Sequence, residues 1–98
     1  MEQKTGLYVQ LVAKDGKEQE VADFLTGALP LAQQETGTIA WYAIRIDQKT
    51  FAIFDTFAGE DGRQSHLEGP IAAALMSKAD ELLAQPPDIK KIDIMAAK

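Results

Sequence analysis

The segment TIAWYAIRIDQKTFAIFDTF, residues 38–57, restricts the possible folds because it is apolar on both of its faces. Its two halves, Thr38–Asp47 and Thr50–Ala58, predict a β-hairpin joined through Gln48–Lys49. An antiparallel pair with one face in water normally alternates apolar and polar residues. Here large apolar or aromatic side chains occupy both faces, so each face of this hairpin needs a cover.

The pairing of the hairpin follows from its loop length. A two-residue loop places Asp47 opposite Thr50. The remaining partners are then Tyr42 with Asp55, Ile44 with Ile53, and Ile46 with Phe51. One face would carry Tyr42, Asp55 and Phe57, and the other would carry Trp41 and Phe54. A slip of one residue would exchange these partners.

The other segments alternate between the periods of strands and of helices. Two segments have the alternation of strands: Gly6–Lys14 and Ile89–Met95. Three are predicted to be helical: Lys17–Glu35, Arg63–Leu67 and the segment that starts at Gly69–Pro70. Pro30 lies inside the first helical pattern and should kink or split it, because proline removes a backbone hydrogen bond.

The resulting order, β-α-β-β-α-β, predicts an α+β, ferredoxin-like fold in which two helices cover one face of a four-stranded antiparallel sheet. We expect one domain over residues 1–98, with its core at about 6–95. Two helices leave the second face bare. An identical sheet from a second chain would cover it, which predicts a homodimer that closes as a dimeric α/β barrel. The alternative is an ordinary core with scattered exposed aromatic residues.

Composition excludes several classes of function. The net charge is −5 and the longest basic cluster is Lys90–Lys91, so we expect no binding to nucleic acid. Cysteine is absent, there is one histidine, and no nucleotide-binding fingerprint occurs, so we predict no metal and no cofactor. No apolar run approaches the roughly 18 residues that span a membrane. The polar start, MEQKTG, does not resemble a signal peptide, so we expect a cytoplasmic protein without membrane contact.

Asp55 and His66 are the candidate reactive residues. Asp55 interrupts the apolar segment FAIFDTF, where a carboxylate is costly unless it has a partner such as Tyr42. A buried carboxylate also has a perturbed pKa, which is common where protons are transferred. Alternatively, Asp55 lies near the strand end and points to water. His66 could be a general base, an axial haem ligand, or a surface or helix-capping residue.

The segments LYVQLVAK, ETG, WYAIRID, FAIFDTF and SHLEGP carry a resemblance to a known family. Within them, an acid on strand three is followed by an aromatic residue, a histidine and a proline: Asp55, Phe57, His66 and Pro70. From about residue 6 to residue 95, the chain thus resembles the antibiotic biosynthesis monooxygenase family of small dimeric α+β barrels. The resemblance implies dimerisation through the sheet face that the helices leave free.

The resemblance also implies cofactor-independent oxygenation of a small electron-rich phenol, quinol or anthrone. The substrate loses a proton, and its anion passes an electron directly to O₂. The resemblance implies that a catalytic set binds the hydroxyl and assists proton transfer: Tyr42, Asp55 and His66. It also implies that Trp41 or Phe57 stacks on the ring, and Phe24 is a further candidate for substrate binding.

The chain departs from the family pattern at several positions. Asp55 stands where glutamate is usual, Phe57 where tryptophan is frequent, and Ile71 where a second histidine often follows the proline. The chain has no asparagine, which the haem-degrading branch uses on its first strand. Two alternatives therefore stay open: a non-catalytic or stress-response barrel that binds a small ligand or a partner, and a haem-binding relative.

Overall fold

The computed structural model describes residues 2–98. The chain folds into a four-stranded antiparallel sheet with helices on one face. The strands are β1 (Thr5–Val12), β2 (Thr38–Arg45), β3 (Thr50–Phe57) and β4 (Asp88–Asp93), and the helices are α1 (Glu18–Gly27), α2 (Leu29–Gln34), α3 (Glu60–Leu67) and α4 (Pro70–Leu82). The strand order is β2-β3-β1-β4. This arrangement confirms the predicted ferredoxin-like α+β fold.

The predicted break at Pro30 is also confirmed. The first helical segment divides at Ala28 into α1 and α2, and Pro30 lies in the first turn of α2. A proline is tolerated there because the first backbone N–H groups of a helix have no partner within it. α2 ends at Gln34, four residues before β2 begins at Thr38.

The predicted register of the hairpin is wrong by one residue. Trp41, not Tyr42, lies opposite Asp55, and Tyr42 pairs with Phe54. The cause is a longer loop. The backbone N–H of Ile46 donates to the carbonyl oxygen of Thr50 at 2.8 Å. The Asp47 carboxylate accepts from the N–H groups of the residues that follow it, as aspartate often does in turns.

The corrected register exchanges the aromatic residues between the two faces. Trp41 shares the helix-covered face with Asp55 and packs against both hydrophobic clusters of the core. Tyr42 lies on the open face, is 56% exposed, and stacks on Phe54 with 6.3 Å between ring centroids. The expectation that Trp41 and Phe54 share a face is therefore wrong, although both faces are apolar as predicted.

A β-bulge at Ile39 interrupts the pairing near the start of β2. Thr38 lies opposite Phe57, whereas Ala40 lies opposite Thr56. The Thr56 hydroxyl accepts a hydrogen bond from the backbone N–H of Ala40 at 3.2 Å, which satisfies a donor that the irregular ladder leaves free. Bulges of this kind redirect side chains and are frequent beside functional sites. This one lies where Thr38 and Trp41 meet the helices.

The core lies between the covered face and the helices. Its main cluster consists of buried apolar residues from β1, β3, α1 and α4: Leu7, Val9, Leu11, Val21, Leu25, Phe51, Ile53, Phe57, Leu75, Ala79 and Leu82 among them. A smaller cluster of Ala28, Ala32 and Ile71 joins α2 to α4. Two ionisable side chains, Asp55 and His66, are buried with this apolar material.

Candidate functional site

A close contact between two glycines brings the loop before β2 against α3. A Cβ atom on Gly37 would lie 2.9 Å from the Cα atom of Gly62, and a Cβ on Gly62 would lie 2.7 Å from the carbonyl oxygen of Gly37. Real Cβ atoms do not approach so closely, so both positions require glycine. The contact places Glu35, at the end of α2, beside His66 of α3.

Arg63 fixes α3 from its other side. Its Nη1 atom donates to the carbonyl oxygens of Gly6 at 3.2 Å and Ile92 at 3.3 Å, and its Nε atom donates to Glu60 at 2.9 Å. The guanidinium group thereby joins α3 to β1 and β4. Arg63 precedes His66 by three residues, so this anchor also sets the position of the histidine along the sheet.

His66 lies between two carboxylates. Its Nδ1 atom is 2.7 Å from Oε1 of Glu35, and its Nε2 atom is 3.0 Å from Oδ2 of Asp55. The side chains are 7% exposed for His66, 0% for Asp55 and 15% for Glu35. The contact with Glu35 is a hydrogen bond, whereas Nε2 and Oδ2 are close enough for an ion pair without hydrogen-bond alignment. The Phe57 ring packs on the imidazole, with 5.6 Å between centroids.

The arrangement fixes where the protons of His66 can be. Glu35 Oε1 also accepts a hydrogen bond from the Thr38 hydroxyl at 2.7 Å, so it faces two donors and Nδ1 carries a hydrogen. On the opposite side, a lone pair on Nε2 would be repelled by an ionised Asp55. A proton must therefore lie on Nε2 or on Asp55, and the two positions are 3.0 Å apart.

The two carboxylates also set the pKa of His66. Burial of the imidazole lowers this pKa, but the close contacts with the Asp55 and Glu35 carboxylates raise it by more. The pKa of His66 therefore lies above its ordinary value of 6.5. The two carboxylates therefore favour the charged form of the imidazole, which compensates part of the cost of burying Asp55.

Several buried polar atoms at this site have no hydrogen-bond partner within residues 2–98. They are both carboxylate oxygens of Asp55, Oε2 of Glu35 and Nε1 of Trp41. Buried polar groups are nearly always paired, so a cluster of unpaired ones requires an explanation. Trp41 lies directly across from Asp55 in the ladder, so a donor and two acceptors are presented side by side on the covered face.

Two open clefts meet at Glu35. The larger has a volume of about 470 Å³ and is lined by residues of α3 and of the loop before β2, including Asp61, Ser65, His66, Gly37 and Thr38. The smaller has a volume of about 250 Å³ and combines apolar with polar side chains: Leu29, Ala32, Ile39 and Trp41 with Gln33, Glu35 and Thr38. Glu35 and Thr38 line both clefts. Small-molecule sites usually measure about 300–1,000 Å³, so the larger cleft falls within that range.

The structure brings together some of the predicted site residues and separates others. Asp55, His66, Phe57 and Trp41 meet on the covered face. Tyr42 lies on the opposite face of the sheet, and Phe24 packs in the main core beside α4, where it borders a void of about 10 Å³. The predicted roles of these residues in catalysis and substrate binding stay predictions.

Glu35 is the site residue that sequence reasoning missed. A signal was present, because Glu35 directly follows the last residue of α2. The C-terminal end of a helix carries a partial negative charge and disfavours a carboxylate. An acid at that position therefore requires a compensating partner, and here the partners are His66 and Thr38.

The geometry of the cluster bears on whether it could bind a metal ion. The carboxylates contact opposite nitrogens of the imidazole, so they do not converge on one point. Across the described part of the chain, no group of three or more His, Asp or Glu side chains could hold a metal ion.

No helix in residues 2–98 has both the length and the apolar character to cross a membrane.

Comparison with solved structures identifies relatives. The chain matches no protein-family model and no curated protein sequence. The NE2512 protein of unknown function from Nitrosomonas europaea is 54% identical, with a TM-score of 0.96 over 98% of this chain and 93% of the other.

More distant structures share the fold. A proposed antibiotic biosynthesis monooxygenase from Nitrosomonas europaea has a TM-score of 0.83 at 12% identity, over 94% of this chain and 90% of that protein. Another, from Caulobacter crescentus CB15, has a TM-score of 0.81 at 16% identity, over 96% and 92%.

Proposed function

The chain belongs to the family of the Nitrosomonas europaea NE2512 protein and has the fold of antibiotic biosynthesis monooxygenases. From this premise we propose that it oxidises a small aromatic phenol, quinol or anthrone with O₂ and without a cofactor. One observation carries the proposal. The buried Asp55 and His66 approach to 3.0 Å between Oδ2 and Nε2, and the unpaired indole N–H of Trp41 lies across the ladder from Asp55. A carboxylate beside an imidazole can accept the proton of a bound hydroxyl.

The balance of unpaired atoms favours a hydroxyl-bearing ligand. The unpaired acceptors belong to Asp55 and Glu35, and the one unpaired nitrogen donor among them is Trp41 Nε1. A phenol or quinol brings an O–H donor for Asp55 and an oxygen that can accept from the indole. Its ring would rest in the smaller cleft against Trp41 and Ile39.

The proposed reaction is balanced for an anthrone. Asp55 takes the hydroxyl proton of the enol form, and the anion gives one electron to O₂, which yields a radical and superoxide. The two combine at the ring carbon as a peroxide anion. Cleavage of the O–O bond, with loss of hydrogen from that carbon, gives a carbonyl and hydroxide. The proton held by Asp55 and His66 converts hydroxide to water, so O₂ accepts the four electrons that the CH₂ group loses.

A homodimer formed through the open face is part of the proposal. This face exposes the side chains of Tyr42, Ile44 and Ile46 next to the half-buried Phe54. A contiguous apolar patch on a small domain is typical of an association surface. A second copy of the chain would cover this patch. The cytoplasmic location stays a prediction.

Oxygen uptake tests the proposed activity. The chain, treated with a chelator and supplied with no flavin, is mixed with anthrone or a simple naphthohydroquinone. Uptake should exceed autoxidation, and ¹⁸O₂ should label the new carbonyl of the anthrone product. Asp55→Asn and His66→Ala should each lower kcat by about 10²-fold or more, because proton transfer typically contributes about 10²–10⁴-fold.

The matched control is Glu81→Gln, which changes an exposed carboxylate on α4 that lies outside the site. It should turn over substrate at the original rate. Uptake no faster than autoxidation for every substrate would contradict the proposal, as would equal rates for the original chain, Asp55→Asn and His66→Ala. Saturable binding without turnover would instead favour a ligand-binding protein.

A further inference from the structure

Glu35 connects the buried pair to the larger cleft. Its Oε1 atom accepts from His66 Nδ1 at 2.7 Å and from the Thr38 hydroxyl at 2.7 Å, while Oε2 has no partner within residues 2–98. Exposure increases along the series from Asp55 at 0% through His66 at 7% to Glu35 at 15%. The three groups thus form a continuous path from the core to the cleft.

We propose that Glu35 is the positioning residue for His66 and the route by which the buried Asp55–His66 pair exchanges its proton with the cleft. The proposal rests on the proposed function, because it assigns a role to Glu35 within the same site. It adds to that function a residue to which the resemblance described above assigns no role, and it gives the site an outlet for the proton.

The positioning role follows from the two hydrogen bonds at Oε1. A histidine ring without partners can rotate about its Cβ–Cγ bond, and when neutral it can carry its hydrogen on either nitrogen. The bond from Nδ1 to Glu35 holds the hydrogen on Nδ1 and aims Nε2 at Asp55. Thr38 holds the carboxylate in place from β2, so the ring is oriented by a group that is itself fixed.

The transfer role follows from the order of the groups. The substrate O–H bond breaks as an O–H bond forms on Asp55. Because the Asp55–His66 pair already holds one proton between Nε2 and Asp55, it now carries one in excess, and the Nδ1 proton moves to Glu35 Oε1, which leaves His66 with one hydrogen, on Nε2. Glu35 then exchanges its proton with water in the cleft, and the reverse sequence returns a proton when the peroxide collapses. Each step moves one proton and no electrons.

The surrounding charges are few. In the larger cleft, Asp61 is the other ionisable side chain among the described lining residues. Arg63 of α3 bonds to Glu60 and to carbonyl oxygens of β1 and β4, away from the imidazole. β2 contributes the uncharged Thr38 and Trp41, and α4 contributes Pro70. Asp55 and Glu35 therefore dominate the electrostatic environment of His66.

Proton NMR of the imidazole tests the proposal without any turnover. His66 is the only histidine in the chain, so one C2–H signal reports its titration. Glu35→Gln retains an oxygen that can accept from Nδ1 and Thr38 but removes the negative charge. The titration midpoint of His66 should therefore move downward in this variant. Asp61→Asn is the matched control, since it removes a charge from the same cleft without contacting the imidazole, and should produce a smaller shift.

Kinetics supply the second readout. Glu35→Gln should lower kcat by about tenfold or more and leave KM within about twofold, because the substrate contacts are retained and the orientation of the histidine is weakened. Thr38→Val, which removes only the anchor of Glu35, should have a smaller effect in the same direction.

The outcomes separate this inference from the proposed function. An unchanged midpoint in Glu35→Gln, or a shift no larger than that of Asp61→Asn, would overturn the role of Glu35 whether or not the chain is active. An active chain whose kcat is unaffected by Glu35→Gln would overturn it as well, with the monooxygenase proposal intact. An inactive chain that shows the predicted midpoint shift would retain the positioning role and reject the activity.

Discussion

The two faces of the sheet use neighbouring residues of one strand for opposite purposes. Asp55 points to the helices and is buried in contact with an imidazole, whereas Phe54 points to the open face and stacks on Tyr42. The covered face encloses ionisable groups in a setting where charges interact strongly. The open face has an apolar centre in which a buried charge would have no partner.

The difference shows why the covered face is suited to chemistry and the open face to association. Helices and the loop before β2 bring His66 and Glu35 to Asp55, so polar groups meet from three separate parts of the chain. The open face receives no helix. Its apolar side chains can be buried only by another molecule, and so the two faces should respond differently to the same kind of substitution.

The largest expected effect is the loss of the dimer through a charge on the open face. Ile44 is 43% exposed in the single chain, so Ile44→Asp should fold. In a sheet-to-sheet dimer its carboxylate would be buried without a partner, at a cost of several kcal/mol. Light scattering should report twice 10.7 kDa for the original chain and 10.7 kDa for the variant.

The matched control is Met76→Asp, which changes an exposed apolar residue on α4. It should leave the dimer intact, because it lies on the helical side of the molecule. A mass of one chain for the original protein would contradict the dimer, and dissociation of both variants would remove the distinction between the two faces.

A smaller effect is expected on the covered side from the glycine contact. Gly62→Ala would place its Cβ 2.7 Å from the carbonyl oxygen of Gly37 and should lower the free energy of unfolding by about 1–3 kcal/mol. Urea denaturation measures this change. Gly27→Ala, whose Cβ would meet nothing within 4 Å, should leave stability unchanged or increase it by up to about 1 kcal/mol. Equal stabilities of the two variants would contradict the close contact.

The smallest effect is the pH dependence of stability from His66. Its pKa in the folded chain lies above its ordinary value of 6.5, because Asp55 and Glu35 favour the charged imidazole. The stabilisation is therefore fully present below pH 6.5 and is lost as the pH rises through the folded pKa. Chemical denaturation from pH 6 upward should show a decline in the free energy of unfolding. The slope of this free energy against pH should correspond to the release of at most one proton. His66→Gln should abolish that decline, and a slope that persists in this variant would assign it to other groups.

Much of the fold follows from the sequence because its signals are local. The periods of α4 and β1 and the break at Pro30 each depend on a few adjacent residues. The hairpin register failed because the Asp47 side chain builds a longer turn, and a slip of one residue exchanged Trp41 with Tyr42. Asp55 and His66 were found because each is unusual in its own segment.

Glu35 was missed for a different reason. Its partners lie on α3 and β2, and the contact depends on the approach of Gly37 to Gly62, which only the folded chain displays. The unfavourable position of an acid at a helix C-terminus was a usable signal. It indicates that a partner is needed but does not identify that partner.

Fluorescence of Trp41 tests most directly whether the covered face is the ligand site. It is the only tryptophan in the chain, and its unpaired Nε1 lies across the ladder from Asp55. Without oxygen, a naphthohydroquinone should change the Trp41 emission saturably, whereas its dimethyl ether, which lacks the O–H donors, should bind at least about tenfold more weakly. Asp55→Asn should reduce this preference. Emission that does not saturate, or equal affinity for the quinol and its ether, would contradict the account.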